Sequence, residues 1–258
     1  MTDLSLDNSV FSCEVLGSVA VVRLKEHALD LTTDLEAREQ YTEVLYAIER
    51  DDGISGLVEL NTATFPGSEV LREFLKSLGG GDQRDRARTG MQWSRLRWAI
   101  TEMALTRAKF AKPFVVGLDD ECSSDYLGVA LTADCRIATS NTRVTFTNRE
   151  VGFPLSPVLA FYLRNLMTPA QAGRLWVECQ ALSAQQLEAL GLIESIVDAG
   201  DLQSTCITQV ETLSEISGHL YAANKGMLKP DPEDLERYLN RAFDSIRDML
   251  LRTGRANF

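Results

Sequence analysis

The acidic residues best placed for chemistry lie in one stretch, Lys112 to Ala138, which reads KPFVVGLDDECSSDYLGVALTADCRIA. A short apolar run there ends in an acidic turn of small residues, and the turn opens into an apolar helix that begins near Tyr126. A second β-rich run, from Cys135 to Ala138, closes the unit. An enzyme acting on a thioester would place a backbone amide for the thioester oxygen at the start of such a helix, where the helix dipole favours negative charge. This stretch is therefore the first candidate for an active site.

Strands and helices alternate before this stretch. Apolar runs predict three strands, over residues 11–15, 19–24 and 54–60. Apolar residues at helical spacing predict three helices, over residues 34–50, 69–78 and 91–110. The first two strands lie on either side of Gly17-Ser18 and predict a hairpin. Residues 28–33 are expected to form a loop, with Thr32 or Thr33 as the cap of the first helix, and Ser183 is expected to cap a later helix. This order is typical of an α/β fold with a parallel sheet.

Helical periodicity dominates after Asp201. We therefore expect an α/β core over residues 1–197 and a helical region over residues 198–258. Between the predicted second and third helices, Gly79 to Thr89 is glycine-rich and then highly charged. This pattern is typical of a mobile loop, which is either a lid or a plain surface loop.

Composition excludes several classes of function. The 258 residues carry a net charge of −11, with 37 acidic against 26 basic side chains, and no basic stripe stands out, so nucleic-acid binding is not expected. The five cysteines are widely spaced and show no metal-binding pattern, and they are expected to be reduced thiols in a cytoplasm. Because no leader and no apolar run of about 18 residues occurs, we expect neither secretion nor membrane insertion.

A family resemblance rests on six short motifs in order between Lys112 and Val197. The motifs are Lys112-Pro113, Ala133-Asp134 with Arg136-Ile137-Ala138, Asn141-Thr142-Arg143, Val151-Gly152, Pro169-Ala170-Gln171-Ala172, and Leu182-Ser183-Ala184 with Leu190-Gly191-Leu192-Ile193. With this spacing the chain resembles the crotonase (enoyl-CoA hydratase/isomerase) superfamily, and the family pattern runs over the segment without a gap. Upstream, Ser18–Leu24 and Phe65–Phe74 are similar to the family's first strand and first oxyanion loop.

The resemblance implies a fold and a class of ligand. The implied fold is a crotonase-like spiral of ββα turns with a helical C-terminal oligomerisation region, and the implied assembly is a homotrimer or hexamer. The implied substrate is an acyl thioester of CoA or of an acyl-carrier protein, with no tightly bound cofactor. His27 falls where the family loop contacts the CoA adenine region, and Lys225 and Lys229 are placed to meet CoA phosphates.

The departures from the family pattern concentrate in the chemistry. Asp125 falls on the second oxyanion amide, where the family has glycines. At about 4 Å and an effective dielectric of about 20, its carboxylate would repel an oxyanion by on the order of 4 kcal/mol. Alternatively, Ser123, Ser124 and Asp125 are simply N-cap residues of the helix. In the first oxyanion loop, Glu69 takes the amide donor's place, or Ser68 after a shift of one residue.

The two glutamates of the family's hydratases are both replaced. Their positions fall on Gly128 and Asn148. Glu150 would occupy the second of these positions only if the loop were shifted by two residues relative to the family pattern. The remaining candidates for proton transfer are therefore Glu150, Asp125 and Glu69.

Two functions follow from these observations. The first is an enzyme that forms an enolate in an oxyanion hole and catalyses isomerisation, dehydration, decarboxylation or C–C bond chemistry. The second is a non-catalytic crotonase homologue that acts as a subunit or interaction scaffold. Ordinary hydration by two glutamates is not expected, since neither glutamate is present.

Overall fold

The computed structural model describes residues 4–61, 65–79, 86–178 and 180–253. Within this part of the chain, ten strands are β1 (Leu6–Asp7), β2 (Phe11–Leu16), β3 (Val19–Leu24), β4 (Gly56–Asn61), β5 (Phe114–Leu118), β6 (Glu121–Ser123), β7 (Cys135–Thr139), β8 (Arg143–Thr145), β9 (Ala181–Ser183) and β10 (Ser195–Val197). The helices are α1 (Asp30–Thr33), α2 (Leu35–Arg50), α3 (Ser68–Gly79), α4 (Arg86–Lys109), α5 (Ser124–Ala130), α6 (Thr147–Glu150), α7 (Pro157–Leu166), α8 (Pro169–Glu178), α9 (Ala184–Ala189), α10 (Leu202–Ser214), α11 (Gly218–Leu228) and α12 (Pro232–Thr253).

The main sheet has seven strands in the order β1-β2-β3-β4-β5-β7-β10. β1, β2 and β3 pair antiparallel, and β2 and β3 form the predicted hairpin around Gly17, whose φ of 63° suits a residue without a side chain. β3, β4, β5, β7 and β10 pair parallel. The predicted α/β class with a parallel sheet is confirmed.

Alternating side chains of the main sheet enter two apolar cores. On β3, Ala20 and Val22 face the larger core, which the helices α2, α4 and α7 also line. Val19 and Val21 face a smaller core that is closed by α10 through Leu202, Cys206 and Val210. The larger core also receives Leu235, Leu239 and Phe243 of α12. Helix α12, which follows residue 197, thus packs into the same core as helices that precede this residue. The division of the chain at residue 197 therefore stays a prediction.

A second, small sheet in the order β6-β8-β9 lies beside the first one. β6 leaves β5 through a tight turn in which Asp120 has a φ of 54°. The turn is held by Asn61 at the end of β4, whose Oδ1 accepts from the Asp119 amide at 2.8 Å. β6 runs directly into α5, so this sheet fixes where the first turn of α5 begins.

Several sequence predictions of local structure need correction. Asp34 caps α2 by accepting from the Ala37 amide at 3.1 Å, so Thr32 and Thr33 are not its caps. Those threonines instead end α1, a short helix in a segment that was expected to be a loop. β6 and α6 were also not predicted, because three- and four-residue elements carry almost no periodicity. Of the predicted mobile loop, residues 80–85 lie outside the described residues.

Candidate active site

An apolar cavity of about 120 Å³ lies beside the start of α5. Helix α3 and helix α4 supply two of its walls, through Leu71, Phe74, Leu75, Leu96, Ile100 and Met103. The segment after β3 and the segment before α3 supply the others. Since a dry cavity of about 150 Å³ holds a benzene-sized molecule, this one has room for an acyl group of roughly four or five carbons.

The first turn of α5 presents Asp125 to this cavity. The cap of the helix is Ser123, whose Oγ accepts from the Tyr126 amide at 3.1 Å. Asp125 is therefore the second residue of the helix rather than its cap, and its side chain lines the cavity together with Ser123 and Tyr126. The stretch that the sequence marked as the first candidate site does border a cavity.

The Asp125 carboxyl group is poorly satisfied. Its Oδ2 is buried and has no hydrogen-bond partner within the described residues, while Oδ1 lies 3.5 Å from the Asn148 side-chain amide. Burial raises the pKa of Asp125 from 3.8 to about 6, although hydrogen bonds from Asn148, its own backbone amide and Ser124 lower it in part. A carboxyl group with a pKa near neutrality can both accept and donate a proton at physiological pH.

Asn148 holds this carboxyl group in place. It lies in α6, which directly follows β8, and it is buried. Its Nδ2 donates to the Pro154 carbonyl at 3.1 Å, and its Oδ1 accepts from Ser124 Oγ at 3.3 Å. The residue at one replaced glutamate position therefore contacts the aspartate at the oxyanion position, a pairing of residues 23 positions apart.

The other replaced glutamate position is sterically closed. Gly128 of α5 packs against α7, and a Cβ atom there would lie 2.6 Å from the Leu159 amide nitrogen and 2.9 Å from its Cα. Because those atoms are backbone, they cannot move aside as a flexible side chain would. Gly128 is thus required by helix packing, and no larger side chain fits in this arrangement.

The structure distinguishes the two candidate amides of the first oxyanion loop. The Ser68 amide at the start of α3 donates to Glu121 Oε1 at 2.8 Å. Hydrogen bonds from Ser68 lower the pKa of Glu121, although partial burial opposes them. The Ser68 amide is therefore occupied by the Glu121 carboxylate. Glu69 is the other candidate for the amide donor, and this hydrogen bond does not involve its amide. The preceding Phe65 ring lies 4.5 Å from the Tyr126 ring of α5, centroid to centroid, so the two loops meet at the cavity.

Glu150 and the Glu69 side chain lie at the surface. Both carboxylates bind Arg72 of α3, Glu150 at 2.7 Å and Glu69 at 2.5 Å. The Glu150 side chain is 52% exposed and does not line the cavity, and the Glu69 side chain is 78% exposed. The structure brings these two carboxylates together at Arg72, and it does not bring them to Asp125. Their roles in proton transfer stay predictions.

The residues predicted to meet CoA lie in two separate places. His27 is exposed next to Ala28 and Leu29, which line the cavity. Lys225 of α11 and Lys229, the residue after that helix, each lie 2.7 Å from an Asp134 carboxylate oxygen, and the Lys225 side chain is 8% exposed. In this arrangement the two lysines tie α11 to the core. A contact with CoA stays a prediction for His27, Lys225 and Lys229.

A buried polar network next to the cavity was missed by the sequence reading. Glu59 of β4 and Arg107 of α4 form an ion pair, and their side chains are 0% and 1% exposed. Tyr41 donates to Glu59 at 2.5 Å, and Tyr126 donates to it at 3.2 Å. A lone glutamate inside the apolar strand run and a lone arginine in a core helix were the only available signals. Their pairing across 48 positions has no local signature.

Within the described part of the chain, no helix is long and apolar enough to cross a bilayer. The same residues contain no group of three or more His, Cys, Asp or Glu side chains arranged to hold a metal ion.

Solved structures share this fold. An enoyl-CoA hydratase from Bacillus halodurans superposes with a TM-score of 0.79 at 18% identity, covering 96% of this chain and 97% of its own. An enoyl-CoA hydratase/isomerase from Cupriavidus metallidurans CH34 gives 0.66 at 20% identity, over 93% and 88%. DspI from Pseudomonas aeruginosa gives 0.65 at 16% identity, over 98% of both chains. At these identities the likeness establishes the crotonase fold alone.

Sequence comparisons give the family. No curated protein sequence matches the chain. The model of the enoyl-CoA hydratase/isomerase family, however, matches residues 79–252, which is more than half of the chain. The motifs between Lys112 and Val197 that carried the resemblance fall inside the matched range. The chain therefore belongs to the enoyl-CoA hydratase/isomerase family, as a divergent member.

Proposed function

We propose that the protein binds a short acyl thioester, linked to CoA or to a carrier protein, and isomerises its double bond with Asp125 as the proton carrier. The observation that carries the proposal is that Asp125, which lines the apolar cavity, has a buried Oδ2 without a hydrogen-bond partner among the described residues. A single carboxyl group suffices for isomerisation, because the same group can remove a proton at one carbon and return it at another. Hydration would also need a second group to activate water, and Gly128 leaves no room for one.

This role removes the conflict between Asp125 and an oxyanion. In the resting site the ionised carboxylate faces a neutral thioester carbonyl. When Asp125 takes a proton from the acyl chain, the C–H electron pair moves into the dienolate, and the thioester oxygen becomes negative while the carboxyl group becomes neutral. The repulsion of on the order of 4 kcal/mol between two negative charges at about 4 Å is thereby avoided at the moment the oxyanion forms. The amides of Glu69 and Asp125 would then hold the oxyanion.

Ligand binding is the first test. At 100 times its dissociation constant, a ligand adds about 2.7 kcal/mol to the free energy of unfolding. For a chain of this size we expect that gain to raise the melting temperature by roughly 5–10 °C. Thermal unfolding is measured with CoA, acetyl-CoA and crotonyl-CoA, and with the same acyl groups on a carrier protein.

Proton transfer is the second test. The protein is incubated in D₂O with crotonyl-CoA and with but-3-enoyl-CoA, and deuterium in the acyl chain is followed by mass spectrometry. We expect exchange and interconversion in the wild type, with a rate that rises with pH around an apparent pKa near 6 as Asp125 ionises. Asp125→Asn should lose at least about 100-fold in rate, since general base catalysis contributes about 10²- to 10⁴-fold. Glu150→Gln is the matched control, because it removes an exposed carboxylate of the same site region.

One observation favours the second candidate, a non-catalytic homologue. Both oxyanion loops have amides in contact with intramolecular carboxylates: Ser68 with Glu121, and Asp125 with its own side chain. A binding-only protein would be stabilised by thioesters and would incorporate no deuterium. A scaffold without a ligand would show neither effect.

A further inference from the structure

The Nη2 group of Arg107, which carries two N–H donors, has no hydrogen-bond partner within the described residues. Nη1 of the same side chain binds Glu59 and donates to Tyr41 Oη at 2.6 Å, and Nε donates to Thr132 Oγ1 at 3.1 Å. Nη2 itself is buried. The guanidinium carbon also lies 4.7 Å from the centre of the Phe114 ring, so the group is held on several sides.

The Nη2 group belongs to a side chain that lines the acyl cavity. Arg107 is the charged residue on the α4 wall, below the apolar side chains of Leu96, Ile100 and Met103. Buried polar groups in native proteins almost always have a partner, and an exception calls for an explanation. The cavity that Arg107 lines suggests one, because a ligand bound there would bring an acceptor to the same side chain.

The charge around Arg107 limits what that acceptor can be. Glu59 already neutralises the guanidinium, and Tyr41 and Tyr126 both donate to the same carboxylate. A second carboxylate brought to Arg107 would be buried beside Glu59 and repelled by it. A keto or hydroxyl oxygen would accept a hydrogen bond from Nη2 without adding charge.

We propose that Arg107 Nη2 recognises an uncharged oxygen, in a keto or hydroxyl group, on the acyl chain of the substrate. This inference rests on the proposed function and narrows its substrate class from plain to oxygenated acyl thioesters. The cavity has room for a chain of roughly four or five carbons. Arg107 is a specificity residue in this scheme, and Asp125 remains the group that moves the proton.

Matched ligands test the proposal on the wild-type protein. Dissociation constants are measured by calorimetry for pentanoyl-CoA, 3-oxopentanoyl-CoA, 4-oxopentanoyl-CoA, 4-hydroxypentanoyl-CoA and glutaryl-CoA. We expect at least one keto or hydroxy ligand to bind roughly 10- to 100-fold more tightly than pentanoyl-CoA, as for a hydrogen bond to a charged donor. Glutaryl-CoA, which ends in a carboxylate, should bind more weakly than that ligand.

Variants then assign the preference to Arg107. Arg107→Lys keeps a cation beside Glu59 but removes Nη2, so the preference should fall to less than about threefold. Met103→Leu, on the same wall, should change the affinities for all five ligands alike. If Arg107→Lys does not fold, the wild-type ligand series decides by itself.

Each contrary outcome has a distinct meaning. Equal affinity for pentanoyl-CoA and every oxygenated ligand would overturn this inference alone and would mean that solvent satisfies Nη2. Tightest binding of glutaryl-CoA would also overturn it, in favour of a dicarboxylic substrate. Absence of binding by any thioester would overturn the proposed function together with this inference.

Discussion

Two largely buried aspartates, one in the first turn of α5 and one after the helix, differ in the partners of their carboxyl groups. Asp134, after the helix, accepts from the Phe114 amide at 2.9 Å and lies 2.7 Å from both Lys225 Nζ and Lys229 Nζ. Burial alone would raise the pKa of Asp134, but the two lysines outweigh it and hold the pKa below 3.8. Asp125, in the first turn of the helix, is contacted by Asn148 at 3.5 Å, by its own backbone amide and by Ser124, but burial outweighs these contacts and raises its pKa to about 6.

The number of partners, not burial, separates the two aspartates. Asp134 has a cation or an amide for each of its oxygens, so it stabilises the fold as a permanent anion. Asp125, which lines the cavity, has an oxygen without a hydrogen-bond partner among the described residues, so its charge is easily gained and lost. Strongly perturbed, poorly partnered groups in clefts are candidates for function, whereas fully paired ones are structural. Four predictions test this contrast, from the largest expected effect to the smallest.

Replacing Asp134 should cause the largest loss of stability. Asp134→Asn keeps the shape of the side chain but leaves Lys225 and Lys229 without their shared anion. Breaking a buried ion pair by removing one partner costs about 3–5 kcal/mol in the free energy of unfolding. Urea denaturation measures the change, with Asp198→Asn, an exposed aspartate, as the control. A loss below about 1 kcal/mol would mean that Asp134 is no better placed than a surface residue.

Replacing Asp125 should increase the free energy of unfolding, whereas replacing Asp134 should decrease it. Below pH 3.8 both folded and unfolded chains carry a protonated Asp125, so the residue costs nothing. As pH rises from 3.8 to about 6, the unfolded chain releases the proton first, and stability is lost. The full penalty, on the order of 3 kcal/mol, is present above pH 6. Asp125→Asn removes this penalty, because the amide does not ionise.

The measurement is a set of urea denaturation curves from pH 4.5 to pH 8 for the wild type and Asp125→Asn. The advantage of the variant over the wild type should grow from pH 4.5 to slightly above pH 6 and then stay constant up to pH 8. A variant that is less stable than the wild type at pH 8 would show that the Asp125 carboxylate has a partner in the folded protein. The proposed role would then lose its physical basis.

Gly128, between the two aspartates, tests whether packing closes the glutamate position. Gly128→Ala would place a Cβ atom 2.6 Å from the Leu159 amide nitrogen, so α5 and α7 must separate. Overpacking of this kind costs about 1–3 kcal/mol. Gly173→Ala in α8 is the matched control, since a Cβ atom there meets nothing within 4 Å and should add roughly 0.5–1 kcal/mol. Equal effects of the two substitutions would contradict a closed position.

Local signals in the sequence were sufficient for most of the fold. The β2–β3 hairpin followed from two apolar runs around Gly17, and the Ser183 cap of α9 is present as a full capping box with Gln186. Such features depend on residues a few positions apart, so periodicity and capping rules predict them. Asp125 was found for the same reason, because it lies in the turn that opens α5.

Contacts between distant segments limited the prediction of the site. Glu121 takes the Ser68 amide across 53 positions, and Arg107 pairs with Glu59 across 48. Which charged groups meet is decided by the packing of α3 and α4 on the sheet, and no local pattern encodes it. The sequence therefore identified the turn of the site and its departures from the family, but not the polar network beside its cavity.

Glu150, a third carboxylate of the same region, should show the smallest effect. It binds Arg72 at the surface, where an exposed ion pair contributes about 0–1 kcal/mol. Glu150→Gln should therefore change the free energy of unfolding by less than about 1 kcal/mol. It should also leave the deuterium exchange rate within about twofold of the wild type, because the contribution of about 10²- to 10⁴-fold is assigned to Asp125. Arg72→Gln, which removes the other partner of the ion pair, should behave in the same way. Loss of exchange in Glu150→Gln but not in Arg72→Gln would transfer the proton-carrying role from Asp125 to Glu150, since only a change in the carboxylate itself would then matter.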